Sequence, residues 1–440
     1  MKNYFSHLSQ AEEFLFSRRA RYFPGKDGLK RAQNLLQLLG NPQEKIKIIH
    51  TAGTSGKGST AFILSQILKA AGFKVGLTVS PHLLNLRERI QINNLPLNEK
   101  EFLSALNQLM PIIKKLKKEQ APTFFEIITA LAFNIFLQKK VDYAIVETGL
   151  GGKYDATNTV KNPQKIVILT KIGYDHTHIL GKTLKEIAQQ KAGVIQRGNL
   201  VIALKQKPAV NKVFLKTAQE KNAPLHFIEV GKNFKNITLS SKKTTFDYQF
   251  SSFSLSQVKL GLLGAHQAEN AALAISAVYF LKNRDSFPLP PALIKKSLKH
   301  INLPGRSEII KRGKKTIILD GAHNPQKLNA LCKTLKNIFP KEKFVFLIAY
   351  KKNKNLTGCL KPLLPLAKEI LITDFTGPAQ KPPTIKKHLE KLGFLNSQIV
   401  KNPQEVIKKG NFSFLVITGS FYLLHRCYPF LLPKRRQRLL

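Results

Sequence analysis

Short apolar, β-branched runs alternate with longer stretches of helical periodicity along most of this chain, and no other feature restricts the fold as much. The runs are KIKIIHT (45–51), VDYAIVET (141–148), KIVILTKI (165–172), LVIALKQ (200–206), TIILDGA (316–322), KFVFLIAY (343–350), EILITDF (369–375) and FSFLVITGS (412–420). Strands joined through helices form βαβ units, so an α/β fold with a mostly parallel sheet is expected. Between about 225 and 262 the texture changes to LHFIEV, ITLSS, TTFDYQF and VKLGLLG, which predicts a small antiparallel β appendage. A helix over about 267–282 follows, and Pro-rich SFPLPPA and NLPGRSE bracket another. The expected division is a larger domain over 1–300 and a smaller one over 301–440.

At 440 residues the chain exceeds what one core usually serves, and 43% hydrophobic residues fill two, which excludes a disordered protein. Lys+Arg 71 against Asp+Glu 26 leaves a formal charge of +45. Such a balance attracts anions, whether nucleic acid, acidic membrane or small metabolite. The lysines are dispersed, however, and the densest groups, IIKKLKKEQ (112–120) and PKRRQRLL (433–440), are short. No aromatic-basic stacking patch or nucleic-acid module accompanies them, so a nucleic-acid partner is not expected. Cys332, Cys359 and Cys427 lie far apart, without zinc or disulfide spacing, as suits a reducing compartment. The N-terminal MKNYFSHLSQAEEF carries carboxylates where a signal peptide needs an apolar run, and no stretch reaches the ~20 apolar residues of a membrane span. A cytoplasmic monomer without membrane contact is the expectation.

The first strand runs into Gly53-Thr54-Ser55-Gly56-Lys57-Gly58-Ser59, and a helical pattern capped by Gly72 begins at once. In such a strand, loop and helix, backbone N–H groups turn toward phosphate oxygens and Lys57 reaches the β- and γ-phosphates. Ser59 or Thr60 faces a magnesium ion. ATP or GTP is the expected ligand, although Gly-x-x-Gly-Lys is shorter than the usual spacing.

Glu147 ends a strand ahead of Gly149-Leu150-Gly151-Gly152, and a carboxylate at such a strand end suits Mg²⁺. Asp155 and Asn158 read equally as turn formers. Asp175, His176 and His178 follow the next strand, a placement open to metal or phosphate binding as well as to a structural role. Leu184, Ile187, Ala188, Lys191 and Ile195 fall on one helical face, so Lys191 interrupts an apolar stripe. It either snorkels at the edge or is buried, with a lowered pKa, and able to capture CO₂ as a carbamate. Asn270 either reads an adenine edge or caps its helix, while Arg306 and Asp320-Gly321-Ala322-His323-Asn324-Pro325 present charged groups at turns beyond the linker. An arginine and an acid there suit nucleotide clamping.

Taken together and in order, these motifs resemble the Mur ligase superfamily, and within it the dihydrofolate synthase/folylpolyglutamate synthase family. The residues that carry the resemblance begin with HTAGTSGKGS (50–59), Ser80-Pro81-His82-Leu83 with Glu88-Arg89-Ile90, and Thr123-Phe124-Phe125-Glu126. They continue with ETGLGG (147–152), Asp155-Ala156-Thr157-Asn158, Asp175-His176-Thr177 and Lys191-Ala192-Gly193. His266-Gln267 with Asn270, Gly305-Arg306 and DGAHNP (320–325) complete the set. The match spans roughly residues 10 to 330 and continues more loosely through Thr418-Gly419-Ser420.

The resemblance implies a P-loop ATPase domain followed by a smaller Rossmann-like domain. It implies that the glycine loop holds the phosphates of ATP, that Asn270, Arg306 and Asp320 complete the nucleotide site, and that His323 lies close by. Ser80, Glu147 and His176 would bind Mg²⁺, Lys191 would be carbamylated, and Thr123, Phe124, Phe125, Glu126, Tyr154, Asp155 and Ala156 would hold the pterin. The implied activity is an ATP-dependent amide ligation of L-glutamate to dihydropteroate, to reduced folate, or to both, through an acyl phosphate. Lys57, His176 and Lys191 would carry the chemistry.

Four positions depart from the family pattern: Ser55 replaces asparagine, Lys153 replaces arginine, AYKKNKN (349–355) replaces Asp-Lys-Asp, and LITDFTGPAQKPP (371–383) lacks an arginine. A peptidoglycan-precursor ligase would need a further domain ahead of Gly53, where only 52 residues stand. A basic P-loop protein that binds nucleic acid is the competing reading from another class.

Overall fold

The structure is a computed structural model that describes residues 4–18 and 25–431; the basic segment 433–440 and the first three residues of the N-terminal stretch lie outside the described residues. Its first sheet has eight strands: β1 (Ile48–Ala52), β2 (Val75–Thr78), β3 (Ile90–Ile92), β4 (Leu95–Pro96), β5 (Tyr143–Glu147), β6 (Ile166–Leu169), β7 (Leu200–Leu204) and β8 (Leu225–Ile228). They lie in the order β4-β3-β2-β5-β1-β6-β7-β8. From β2 to β8 every neighbouring pair is parallel, and the edge is antiparallel at both β2–β3 and β3–β4.

Alternate residues of each central strand face opposite sides, and each side has its own helices. Ile49, Ile145 and Ile168 pack beneath the helices Lys57–Ala70 and Ala265–Asp285, whereas Ile48, Ala144 and Val146 pack beneath Glu99–Lys115 and Phe124–Gln138. β1 is central, flanked by β5 and β6, so its C-terminal loop opens where strand order changes direction. That crevice is where open α/β sheets take ligands.

The expected appendage is smaller than its sequence texture indicates. β9 (Phe234–Leu239), β10 (Thr244–Phe250) and β11 (Phe253–Leu260) form the antiparallel sheet. LHFIEV instead supplies β8, which pairs in parallel with β7, Val201 beside Leu225. As an edge strand it is only partly buried, and so lacks the solid apolar run of its neighbours. β2, β3 and β4 leave no comparable run, having four, three and two residues.

The second sheet comprises β12 (Glu308–Arg312), β13 (Lys315–Leu319), β14 (Phe344–Ile348), β15 (Ala367–Ile372), β16 (Ser397–Ile399) and β17 (Phe414–Thr418), in the order β12-β13-β17-β14-β15-β16. All pairs except β12–β13 are parallel, and apolar clusters cover both faces. Together the two sheets give the α/β architecture expected from the alternation. Among the described residues no helix is long and apolar enough to cross a membrane.

Candidate functional site

The glycine loop leaves β1 and enters the helix Lys57–Ala70 through Gly56, whose φ of 94° lies in the left-handed region. A Cβ at Gly56 would stand 2.2 Å from Asn270 Oδ1, so a side chain there is excluded by space as well as by backbone. The N–H groups of Thr54 and Ser55 both donate to the carbonyl of Lys171 (2.9 and 3.1 Å) and fasten the loop to β6. The donors left for an anion are therefore those of the helix's first turn, at Lys57, Gly58 and Ser59, ahead of the first intrahelical bond from Thr60 N to Gly56 O. Gly72 ends this helix at φ 93°, one residue beyond its cap.

Across the crevice Glu147 accepts a 2.8 Å bond from the backbone N–H of Ser80 and lies 3.8 Å from Lys57 Nζ. His176, with φ 51°, sits 3.9 Å from Asp175, and burial pulls its pKa down to about 4, so the ring is neutral. Lys191 is 5% exposed on the helix Leu184–Ala192, and burial, then the charge of Lys57, lowers its pKa to about 7. Ile195, assigned to the same stripe, lies beyond the end of that helix.

A cavity of about 250 Å³ is lined by the loop, Ser80, Glu147, His176, Lys191 and Asn270, and by Arg306, Asp320 and His323 from beyond the linker. Asn270 is engaged from beneath, accepting from Thr60 Oγ1 at 3.4 Å and donating to Gln267 at 2.9 Å. Asp320 accepts from Ser307 N, Ser307 Oγ and Ala322 N, so its carboxylate holds the turn that carries Arg306. The Arg306 guanidinium lies 4.5 Å over the Phe421 ring.

Asp175 links the two sheets: it receives Lys354 Nζ at 2.6 Å and Asn324 Nδ2 at 2.9 Å, with His323 Nε2 at 3.6 Å. Burial disfavours its charge, yet the Lys354 ammonium and the other groups around it hold its carboxyl well below the usual carboxylate range.

A second cavity of about 890 Å³ adjoins the first, and Ser80, Gly149, Leu150, Asp175, His176 and His323 line both. Thr123, Phe124, Phe125, Glu126, Tyr154, Asp155 and Ala156 all border it. Phe125 faces Gly149 so closely that a Cβ there would be 2.4 Å from the ring. The Glu126 carboxylate is taken up by Arg31 in a two-point bond (3.0 and 2.9 Å) and by the N–H of Thr123. Buried Asp155 accepts from Leu150 N, Thr157 N and Thr157 Oγ1. These two carboxylates shape the wall, while Phe124, Phe125 and Tyr154 give it flat apolar faces.

Sequence reading gave no site role to Arg31, Lys171, Gln326, Lys327 and Phe421, and named Arg89, Lys351 and Lys354 only within motifs, yet all of them line one cavity or the other. Lysines are so frequent here that position along the chain does not distinguish them. The turn DGAHNP does point at Gln326 and Lys327, which follow it directly.

Residues 51–278 match the Mur ligase middle domain, and residues 305–428 match the dihydrofolate synthetase C-terminal domain. The chain is 32% identical to the dihydrofolate synthase/folylpolyglutamate synthase of Bacillus subtilis, over 91% of this chain and 94% of that one. It is 30% identical to a probable dihydrofolate synthetase of Schizosaccharomyces pombe, over 92% and 98%. A solved structure of Mycobacterium tuberculosis folylpolyglutamate synthase, complexed with ADP and AMPPCP, superposes with a TM-score of 0.86 at 28% identity, covering 95% of this chain and 97% of that one. Matched along nearly its full length in sequence and in fold, the chain belongs to the dihydrofolate synthase/folylpolyglutamate synthase family of the Mur ligase superfamily.

Proposed function

We propose that this protein is an ATP-dependent ligase of folate metabolism that joins L-glutamate to dihydropteroate, to reduced folate, or to both. The observation that carries the reading is the wall shared by the two cavities: a carboxylate presented from the larger one meets the phosphate end of a nucleotide at Ser80, Asp175 and His176. The substrate carboxylate attacks the γ-phosphorus of ATP and ADP leaves. The amine of L-glutamate then attacks the acyl phosphate, and inorganic phosphate departs as the amide forms. Lys57 and Arg306 neutralise charge on the transferring group, and the first-turn N–H groups of the loop orient it.

Magnesium fits the residues present. Among the described residues no three His, Cys, Asp or Glu side chains gather into a cage. Mg²⁺ takes one or two protein carboxylates and completes its shell with phosphate and water. Glu147, neutral His176 and the Ser80 hydroxyl would hold it, and Lys191 would join them as a carbamate. When bound, the ion withdraws charge from the phosphate oxygens.

The remaining assignments belong to the same reading. Phe124, Phe125 and Tyr154 clasp the pterin; Thr123, Glu126, Asp155 and Ala156 set the shape of its pocket. The loop from Gly53 to Ser59, Asn270, Arg306, Asp320 and His323 surround the nucleotide. Domains of 1–300 and 301–440 close on it as a cytoplasmic monomer, a setting in keeping with three buried, unpaired cysteines. ADP release and product mass with Mg-ATP, L-glutamate and either dihydropteroate or tetrahydrofolate test this. A glutamate added to one acceptor or both is expected; no addition to either, by protein that binds ATP, moves the assignment to another carboxylate acceptor.

A further inference from the structure

The charges around the nucleotide cavity do not cancel locally. Lys171 is paired with Glu269 at 3.0 Å, Asp175 with Lys354, and Glu147 faces Lys57. Arg306 and Lys327 have no carboxylate within 4 Å among the described residues, although both line this cavity. Lys327 projects from the first turn of the helix Pro325–Ile338, whose cap, Asn324, takes its backbone N–H at 2.9 Å.

Its ammonium is aimed by a neutral donor–acceptor chain rather than by an anion. His323 Nδ1 lies 2.8 Å from the Gly321 carbonyl, so the ring proton sits there and Nε2 is left as an acceptor. Lys327 Nζ donates to that Nε2 at 3.1 Å. Burial, and then Lys354 and Lys327 more than they are offset by Asp175, keep His323 neutral, its pKa pulled down to about 3. The same crowding acts on Lys327: burial, Lys57, Arg306 and Lys354 together outweigh Asp175 and bring its pKa to about 7. A cation held this way without a counter-ion, beside two others, awaits a polyanion.

We propose that Lys327 is a third phosphate-binding cation of this enzyme, supplied by the second sheet's half of the chain and aimed by His323 at the polyphosphate of ATP opposite Lys57. The proposal rests on the reading of this cavity as the ATP site. Because Lys57 and Lys327 come from different halves, the nucleotide is the counter-charge that lets their two cationic walls approach.

The test compares wild type with Lys327→Met, which keeps length and removes charge, and with Lys327→Arg, using calorimetric titration of AMPPCP, steady-state kinetics and apo melting. Expected for Lys327→Met is about a tenfold weaker AMPPCP affinity and a matching rise in KM for ATP, about 1.4 kcal/mol. KM for the folate acceptor should stay put, and the apo melting midpoint should be unchanged or higher, since a like-charge contact is gone. Lys327→Arg should recover most of the affinity. AMPPCP affinity within twofold of wild type, or a fall in acceptor and nucleotide binding alike with a lowered melting midpoint in both variants, overturns the proposal. Wild type that binds no AMPPCP overturns the ATP reading itself, a result separate from either.

Discussion

The hydroxyl of Ser55, in the phosphate loop of the first sheet, donates a 3.0 Å hydrogen bond to Gln326 Oε1 on the helix that follows β13 of the second. Gln326 also donates to the carbonyl of Ile172 at 3.3 Å, and its side chain fills the space over Gly173. Ser55 stands where relatives are expected to carry asparagine, so its short side chain works here as a tie between the sheets.

Gln326→Ala removes both bonds. The expected result is a several-fold rise in KM for ATP, corresponding to about 1 kcal/mol, with little change in kcat. Steady-state kinetics at saturating acceptor measure it; a fall in kcat with KM unchanged would contradict the tie.

Lys57→Ala takes away the cation that faces Glu147 and, in the proposed mechanism, the phosphates. ADP release that depends on the acceptor should fall at least 100-fold. Coupled detection of ADP, with and without folate, reads the difference.

Lys191 carries an amine that is substantially neutral near pH 7, the form that reacts with CO₂. Lys191→Ala should lose most activity and regain part of it in formate or acetate, whose carboxylate replaces the carbamate. A variant as active as wild type removes the carbamate from the mechanism.

Arg31 and Glu126 form a largely buried pair at the floor of the larger cavity, their side chains 23% and 5% exposed. Arg31→Ala strands a buried carboxylate at a cost of about 3 kcal/mol. Denaturant unfolding should register it. The double replacement Arg31→Met with Glu126→Leu should recover much of that stability while KM for the acceptor stays raised.

Lys165 is 1% exposed and donates to the carbonyls of Val160 and Val194, each at 3.0 Å. Burial lowers its pKa from 10.5 to about 7, partly offset by Glu44. Between those values the unfolded chain binds the extra proton, so stability rises with pH across this window. Apo melting should therefore climb from pH 7 toward pH 10, and less steeply in Lys165→Met. An equal climb in both would show that other groups account for it.

Legibility in the sequence followed chain locality. The strands that bear Thr51, Glu147 and Leu169 announce themselves because burial on both faces demands continuous apolar runs. Glu147, His176 and Lys191 were visible as chemistry at strand ends or on an interrupted stripe. Gln326 and Lys354 acquire meaning only when the second sheet docks, since their partners lie 271 and 179 residues away, while Lys327, whose partner His323 is local, is hidden among the many lysines. Glu126 and Asp155 show the converse: each was legible as a pocket residue, but its carboxylate is engaged by neighbours, a fact that resides in geometry and not in spelling.

The wall common to the two cavities also matters to anyone designing against this enzyme. A ligand with an anionic head for Lys57 and Arg306 and a flat heteroaromatic tail for Phe124 and Phe125 would lie along the lining that the two cavities share. Tethering turns the second contact into an intramolecular event, and the effective concentration of a short linker is in the millimolar range. Two weak fragments, each selected alone, would thus have a route to a single tight inhibitor whose selectivity comes from the junction at Ser80 and His176.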